Sequence, residues 1–318
     1  MTSHSTLHPA TTSRVARLTP SASAGRRWRS AIGAYAFVMP GFALFVLIMV
    51  YPTVQAALIS LQKWAPVPGG RSEWIGLDNY LKAFSDPVFL DALVNAGAYT
   101  VVTVPLQMSI GLGLALLLDG AMPGRTVYRV LLYLPVVTSW VVVSLLFQYM
   151  FQSGPGVANL IVVDVLGLVD APVPWFLERW TAFIAIGALG VWKGVGWAMI
   201  VYLAALTAVP RDQHEAAALD GAGRWGRFVH VALPALRPAS IVISILLIIG
   251  GFNVFISVLL MTGGGPANAT QVPLTYMYQQ AFEFLNFGYG SAIAFSLTLV
   301  ILAISAVQYL ATRERKGG

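Results

Sequence analysis

The chain contains no cysteine in 318 residues. Disulfides and thiolate metal sites are therefore excluded. Charge is also scarce, at 10% of residues against 57% hydrophobic, which is the composition of a polytopic membrane protein rather than a soluble domain. In a soluble protein a formal charge of +6 would suggest nucleic acid. Here its placement along the chain matters more, and no nucleic-acid partner is expected. No G-x-x-x-x-G-K-[ST] stretch occurs, so the chain cannot cradle nucleotide phosphates by that motif. Its histidines, His4, His8, His214 and His230, all lie outside the apolar runs. No metal cluster or nucleophile–base set emerges, so a membrane enzyme lacks support. Acidic residues are missing from the centres of the apolar runs, with Asp91 and Asp119 at their ends. That weighs against an ion-coupled secondary transporter, which places Asp, Glu or His within the membrane.

What is present is apolar sequence in long runs. Six are each about long enough to cross roughly 30 Å of hydrocarbon: 32–60, 92–118, 129–151, 181–206, 239–261 and 288–311. The first is expected to bend at Pro40 and Pro52, and the second is interrupted by Pro105 and Gln107. The expected architecture is all-α and polytopic, a five-helix core with an added N-terminal helix. Residues 1–30, rich in Ser, Thr and Arg, read as a disordered tail. The run after Arg26, Arg27 and Arg29 outlasts any signal peptide and reads as an uncleaved anchor. The chain then divides into 31–91 (first span and an external loop), a core of 92–311 holding a polar connector at 210–237, and a tail of 312–318.

Fourteen Lys and Arg residues fall on the side of the termini and the 210–237 connector, and four on the other side. The positive-inside rule puts both termini and the connector in the cytoplasm. The external loops are 62–90, read as a short interfacial helix, then 153–178, turn-rich with an aromatic belt, and 262–287.

The connector is the longest polar stretch inside this hydrophobic chain. It reads Glu215-Ala216-Ala217-Ala218-Leu219-Asp220-Gly221, then nine residues, then Val231-Ala232-Leu233-Pro234. Its chemistry is that of two short helices and a turn. Pro210 suits a first helical position, and Asp212 and Glu215 put negative charge at the positive end of the helix. Gly221 and Gly223 allow positive φ. Trp225, Phe228, Val229 and Ala232 share one face beyond the turn. With its spacing complete, the stretch resembles the EAA loop of binding-protein-dependent ABC importer permeases. The Leu219-Asp220-Gly221-Ala222 variant is similar to the carbohydrate branch, the MalF/UgpA-like permeases. Two further stretches fit that family: Gly76-Leu77-Asp78-Asn79-Tyr80, and Thr262-Gly263-Gly264-Gly265-Pro266 in a loop facing the binding protein.

That resemblance implies an ABC type I importer permease in a bacterial inner membrane. It implies a second, related permease subunit, two ATPase subunits carrying the ATP and Mg, and an extracytoplasmic solute-binding protein. Glu215 is the expected polar contact to the ATPase, Gly221 supplies the turn, and Leu233 and Pro234 fix the knob to the fifth span.

Three spans carry unusual residues near their middles. The fourth has Trp192-Lys193-Gly194-Val195-Gly196-Trp197, the fifth Gly250-Gly251-Phe252-Asn253, and the third Thr138, Ser139 and Trp140 after Pro135. A mid-membrane lysine costs roughly 2.5–3.5 kcal/mol and should face the bundle interior or water. Hydroxyl-binding groups beside tryptophan suit a pyranose, and midplane placement matches where transporters hold cargo. The expected pathway residues are Trp140, Trp192, Lys193, Gly194, Trp197 and Asn253. Resemblance to maltose-type permeases aligns Gly194, Trp197 and, to within about one residue, Asn253 with substrate contacts. Lys193 departs from the apolar residue expected there, which leaves an anionic cargo such as a glycerol phosphate diester as the alternative to a sugar. The glycines and tryptophans also suit plain helix packing.

Overall fold

The computed structural model describes residues 24–66, 70–120, 122–154 and 156–313. Most of the tail read at 1–30, and the C-terminal tail beyond 313, lie outside the described residues. Two units separate at Gln55 and Ala56. In the first, α1 (Ala24–Phe45) contains Pro40 and passes through a π-helical turn at Val46–Val50 into α2 (Tyr51–Ser60), which crosses into the second unit.

The second unit opens with a two-residue hairpin. β1 (Gln62–Lys63) pairs antiparallel with β2 (Glu73–Trp74), Gln62 opposite Trp74. Then α3 (Asp78–Ser85) supplies the short helix expected in the 62–90 loop. α4 (Pro87–Asp119) follows, its N-terminus capped by Asp86, whose side chain accepts from the Val88 N–H. Pro at the first turn leaves no donor orphaned. This second span begins earlier than the apolar pattern indicated. It also runs unbroken through Pro105 and Gln107. A proline removes a single ladder bond, and here the neighbouring helices hold the rest.

α5 (Arg125–Val137) and α6 (Trp140–Met150) together occupy the expected third span, but they are bent by 93° at Thr138–Ser139. The expected span at 129–151 is thus built from two helical arms and not from one continuous helix. The turn hides in the sequence because apolar residues flank it on both sides. α7 (Val157–Asn159) and a π-helical turn follow in the 153–178 loop. Asn159 organises this loop, accepting from Val173 N–H and Trp175 Nε1–H and donating to the Ser153 and Val173 carbonyls.

α8 (Arg179–Thr207) is the central helix. α9 (Arg211–Leu219) and α10 (Arg224–Arg227) form the connector, and a π-helical turn at Phe228–Ala232 leads into α11 (Leu233–Phe252) and α12 (Ile256–Met261). α13 (Pro273–Tyr278) and α14 (Phe287–Arg313) complete the chain. Among the described residues, five helical runs are long and apolar enough to span a membrane, and six if the bent pair counts as one.

α4 and α8 pack against each other most extensively, with α11 laid on both and α5 on α8. One apolar core joins Tyr99, Phe147, Ile186, Leu189, Phe252 and Leu297. A second, nearer the connector, joins Leu118, Met199, Tyr202, Leu236 and Ile243. Polar ties fix the opposite end. Asp86 Oδ2 accepts from Tyr276 and Tyr289 hydroxyls, each at 2.6 Å, linking the start of α4 to α13 and α14. Burial pulls the Asp86 carboxyl upward, but bonds from the two phenols and from the Val88 and Phe89 N–H groups outweigh it, leaving it below the ordinary carboxylate value. Burial, and then the Asp86 partner, push Tyr276 up to about 12, so it stays a donor. Nearby, buried Asn95 donates to the Ala269 and Gln271 carbonyls and accepts from Arg179.

Candidate functional site

Where α4, α8, α11 and the α5–α6 break converge, a cavity of about 220 Å³ opens. Four of the six expected pathway residues line it: Trp140, Lys193, Gly194 and Trp197. Gly250 and Gly251 contribute from α11, and Tyr99, Thr103 and Gln107 from α4. These come together because α8 presents Lys193, Gly194 and Trp197, at positions i, i+1 and i+4, on one face. Small residues let the neighbours close in. A Cβ on Gly251 would meet Thr100, and one on Gly190 would meet Tyr99. Gly250 instead has open space before it.

Lys193 is buried, with 4% of its surface exposed. Its Nζ donates to the carbonyls of Pro135 (2.8 Å), Val136 (3.2 Å) and Thr138 (2.6 Å). The ammonium also sits 4.9 Å from the centre of the Trp140 ring. Gln107 is the polar group on the facing wall, its Nε2 donating to the Gly190 carbonyl at 3.2 Å.

Two pathway candidates stand elsewhere. Trp192 faces a separate apolar cavity of about 780 Å³ between α4, α5 and α8, and its ring lies 5.6 Å from Phe147. Asn253 ends α11 on an exposed position, and its Nδ2 donates back to the Ile249 carbonyl at 2.8 Å. Neither lines the smaller cavity. Gln107, Tyr99 and Thr103 do line it, and none of them is among the expected pathway residues. An amide in the middle of an apolar helix was the signal for Gln107.

The connector is built as two short helices. Pro210 is the N-cap of α9, one residue before the helical position the sequence indicated. α9 ends in a Schellman turn: Ala222 N–H reaches the Ala217 carbonyl at 2.9 Å and Gly221 N–H reaches Ala218 at 3.1 Å. Gly221 takes φ +80°, whereas Gly223 is extended at φ −66°, so only the first turns left-handed. Glu215, Ala216 and Asp220 are exposed and Ala217 is half-buried. Leu219 is 90% exposed; Trp225 is 75% exposed, so of the face shared by Trp225, Phe228, Val229 and Ala232 only the last three turn inward. Leu233 and Pro234 open α11.

A helical membrane bundle with a mid-span cavity that carries a few polar groups, and with a solvent-exposed helical connector, is the architecture of a transport permease. The chain belongs to the family of binding-protein-dependent transport system inner membrane components, whose profile matches residues 81–316. Among curated relatives, it is 33% identical over 289 residues to the lactose transport system permease protein LacF of Rhizobium radiobacter, covering 90% of this chain and 95% of that one. It is 34% identical over 287 residues to the arabinooligosaccharides transport system permease protein AraP of Halalkalibacterium halodurans, covering 89% of each. A solved bacterial alginate ABC transporter, in complex with an alginate pentasaccharide-bound periplasmic protein, shares the fold. The TM-score is 0.79 at 20% identity, over 92% of this chain and 98% of that one.

Proposed function

We propose that this chain is the membrane-spanning subunit of an ATP-driven, binding-protein-dependent sugar importer and forms half of its translocation pathway. It is a transport subunit, not an enzyme. Nucleotide hydrolysis belongs to two separate ATPase subunits, a related permease supplies the other half of the path, and an extracytoplasmic binding protein delivers the sugar. Both termini and the connector lie in the cytoplasm, on the lysine- and arginine-rich side.

The observation that carries the reading is the exposed connector helix. α9 holds Glu215 and the unpartnered side chain of Leu219 away from the bundle, with Trp225 just beyond the turn. Leu219 and Trp225, left in water on either side of one turn and beside a carboxylate, support a docking surface there. Glu215 supplies the polar contact to the ATPase. The π-helical turn and α11 then carry the push to the cavity wall at Gly250 and Gly251. The relatives' cargoes, lactose and arabinooligosaccharides, support a sugar. The cavity supports it too, offering an indole face at Trp140 and hydrogen-bonding groups at Gln107 and Thr103. At about 220 Å³ it falls below the roughly 300–1,000 Å³ of drug-sized pockets, so it holds part of an oligosaccharide at a time.

Because the chain has no cysteine, Leu219→Cys creates a single thiol. In the assembled transporter it should crosslink, through a short bismaleimide, to a single cysteine introduced on the docking face of the ATPase subunit. Labelling of that thiol in intact cells by a membrane-impermeant maleimide would overturn both docking and orientation.

A further inference from the structure

The geometry points to Lys193 as a positioning residue, and we infer that its ammonium is the clamp that holds the third span in its broken shape and Trp140 in the cavity wall. An ammonium has three N–H groups. Three carbonyls lie within reach of Lys193 Nζ, those of Pro135, Val136 and Thr138 at 2.8, 3.2 and 2.6 Å. They sit at the C-terminal end of α5, where the 93° turn into α6 leaves the Val136 and Thr138 carbonyls without backbone partners, while the Pro135 carbonyl accepts the Thr138 N–H at 3.3 Å. In hydrocarbon, with no water to satisfy them, such groups are costly to leave unpaired. A cation is also the favoured charge at a helix C-terminus.

The Thr138 hydroxyl adds a local bond to the Pro135 carbonyl at 2.6 Å, but it spans only the turn itself. The lysine bridges from another helix, α8, and so ties the break to the centre of the bundle. Trp140 is the first residue of α6, and its ring lies 4.9 Å from the same ammonium. The clamp therefore sets where that indole stands. The donors are consumed by carbonyl groups, so the charge is not presented to cargo as a free cation. Trp140's membership of the sugar path rests on the proposed function. The clamp rests on the contacts alone.

The test reads the bend without a substrate. Tyr128 on α5 and Tyr149 on α6 are both exposed, at 51% and 70%. Spin labels attached through Tyr128→Cys and Tyr149→Cys, in the full-length chain assembled with its partners in nanodiscs, report the distance across the break. Lys193→Met should broaden the distribution and shift it longer, by up to about 10 Å if the arms straighten, at 1.5 Å of rise per residue. Lys193→Arg, which restores charge and donors, should return the wild-type distribution. If Lys193→Met fails to insert, Lys193→Gln should show a partial shift. A wild-type distribution in the Met variant, or in the Gln variant where Met does not insert, overturns the clamp. So does an Arg variant as broad as Met.

Discussion

Gly194 and Gln107 face each other across α8 and α4 so closely that a Cβ added at Gly194 would run into the Gln107 amide. The obstacle is the far end of a flexible side chain. Gly194→Ala should therefore displace the amide and break its bond to the Gly190 carbonyl, at about 0.5–1.5 kcal/mol, without parting the helices. Gly196 presents the opposite case, because a Cβ there would meet the Leu132 carbonyl oxygen and the Tyr133 Cα of α5. Thermal melts of the solubilised protein should find Gly196→Ala markedly less stable than Gly194→Ala. Sugar uptake should show a raised KM for Gly194→Ala at normal membrane levels. Equal melting of the two variants would contradict this ordering.

The Asp86 anchor carries a pH signature. Its folded-state carboxyl lies below the ordinary aspartate value of 3.8, so the stabilisation is complete above that value and disappears as pH falls through the lower folded one. Melting temperature should be insensitive to Asp86 from pH 8 to 5 and fall only in stronger acid. Asp86→Asn should lower stability at pH 7 by about 1.5 kcal/mol per phenol bond, the lower end for bonds to a charged group because the site is partly solvated. It should also flatten the acid limb. On the alkaline side the Tyr276 contribution is present below the ordinary tyrosine value of 10.0 and is lost as pH rises through about 12.

At the connector, function and stability should separate. Gly221 holds φ +80°, where an L side chain costs roughly 1–2 kcal/mol. Gly221→Val should weaken the α9 C-terminus and reduce uptake at least tenfold while membrane insertion persists. Glu215→Ala, on an exposed position, should leave melting unchanged and uncouple ATP hydrolysis from uptake. Unaltered uptake in both variants would remove the docking role.

The connector and the spans were legible because each has a local signature: the E-A-A to Leu233-Pro234 spacing, and apolar runs of membrane length. Lys193, Gly194, Trp197 and Trp140 were legible as a group because charge, glycine and indole are conspicuous in apolar sequence. The 93° break was not, since Thr138 and Ser139 are ordinary polar interruptions and only the long-range bonds from Lys193 distinguish a turn from a straight helix. Neither was the helical phase of Trp192, which faces the apolar cavity one position before Lys193 enters the polar one. Gln107 was visible only as an interruption, because its role depends on Gly190 and Gly194 in a helix more than eighty residues away.

Energy coupling tests the central claim most directly. Uptake of labelled di- and oligosaccharides should be followed in cells expressing this chain with its partner subunits, under a protonophore and, separately, under ATP depletion. Uptake that persists with the proton gradient collapsed and stops when ATP is exhausted is the predicted result. Uptake that stops with the protonophore at undiminished ATP, or that proceeds from this polypeptide alone, would contradict it.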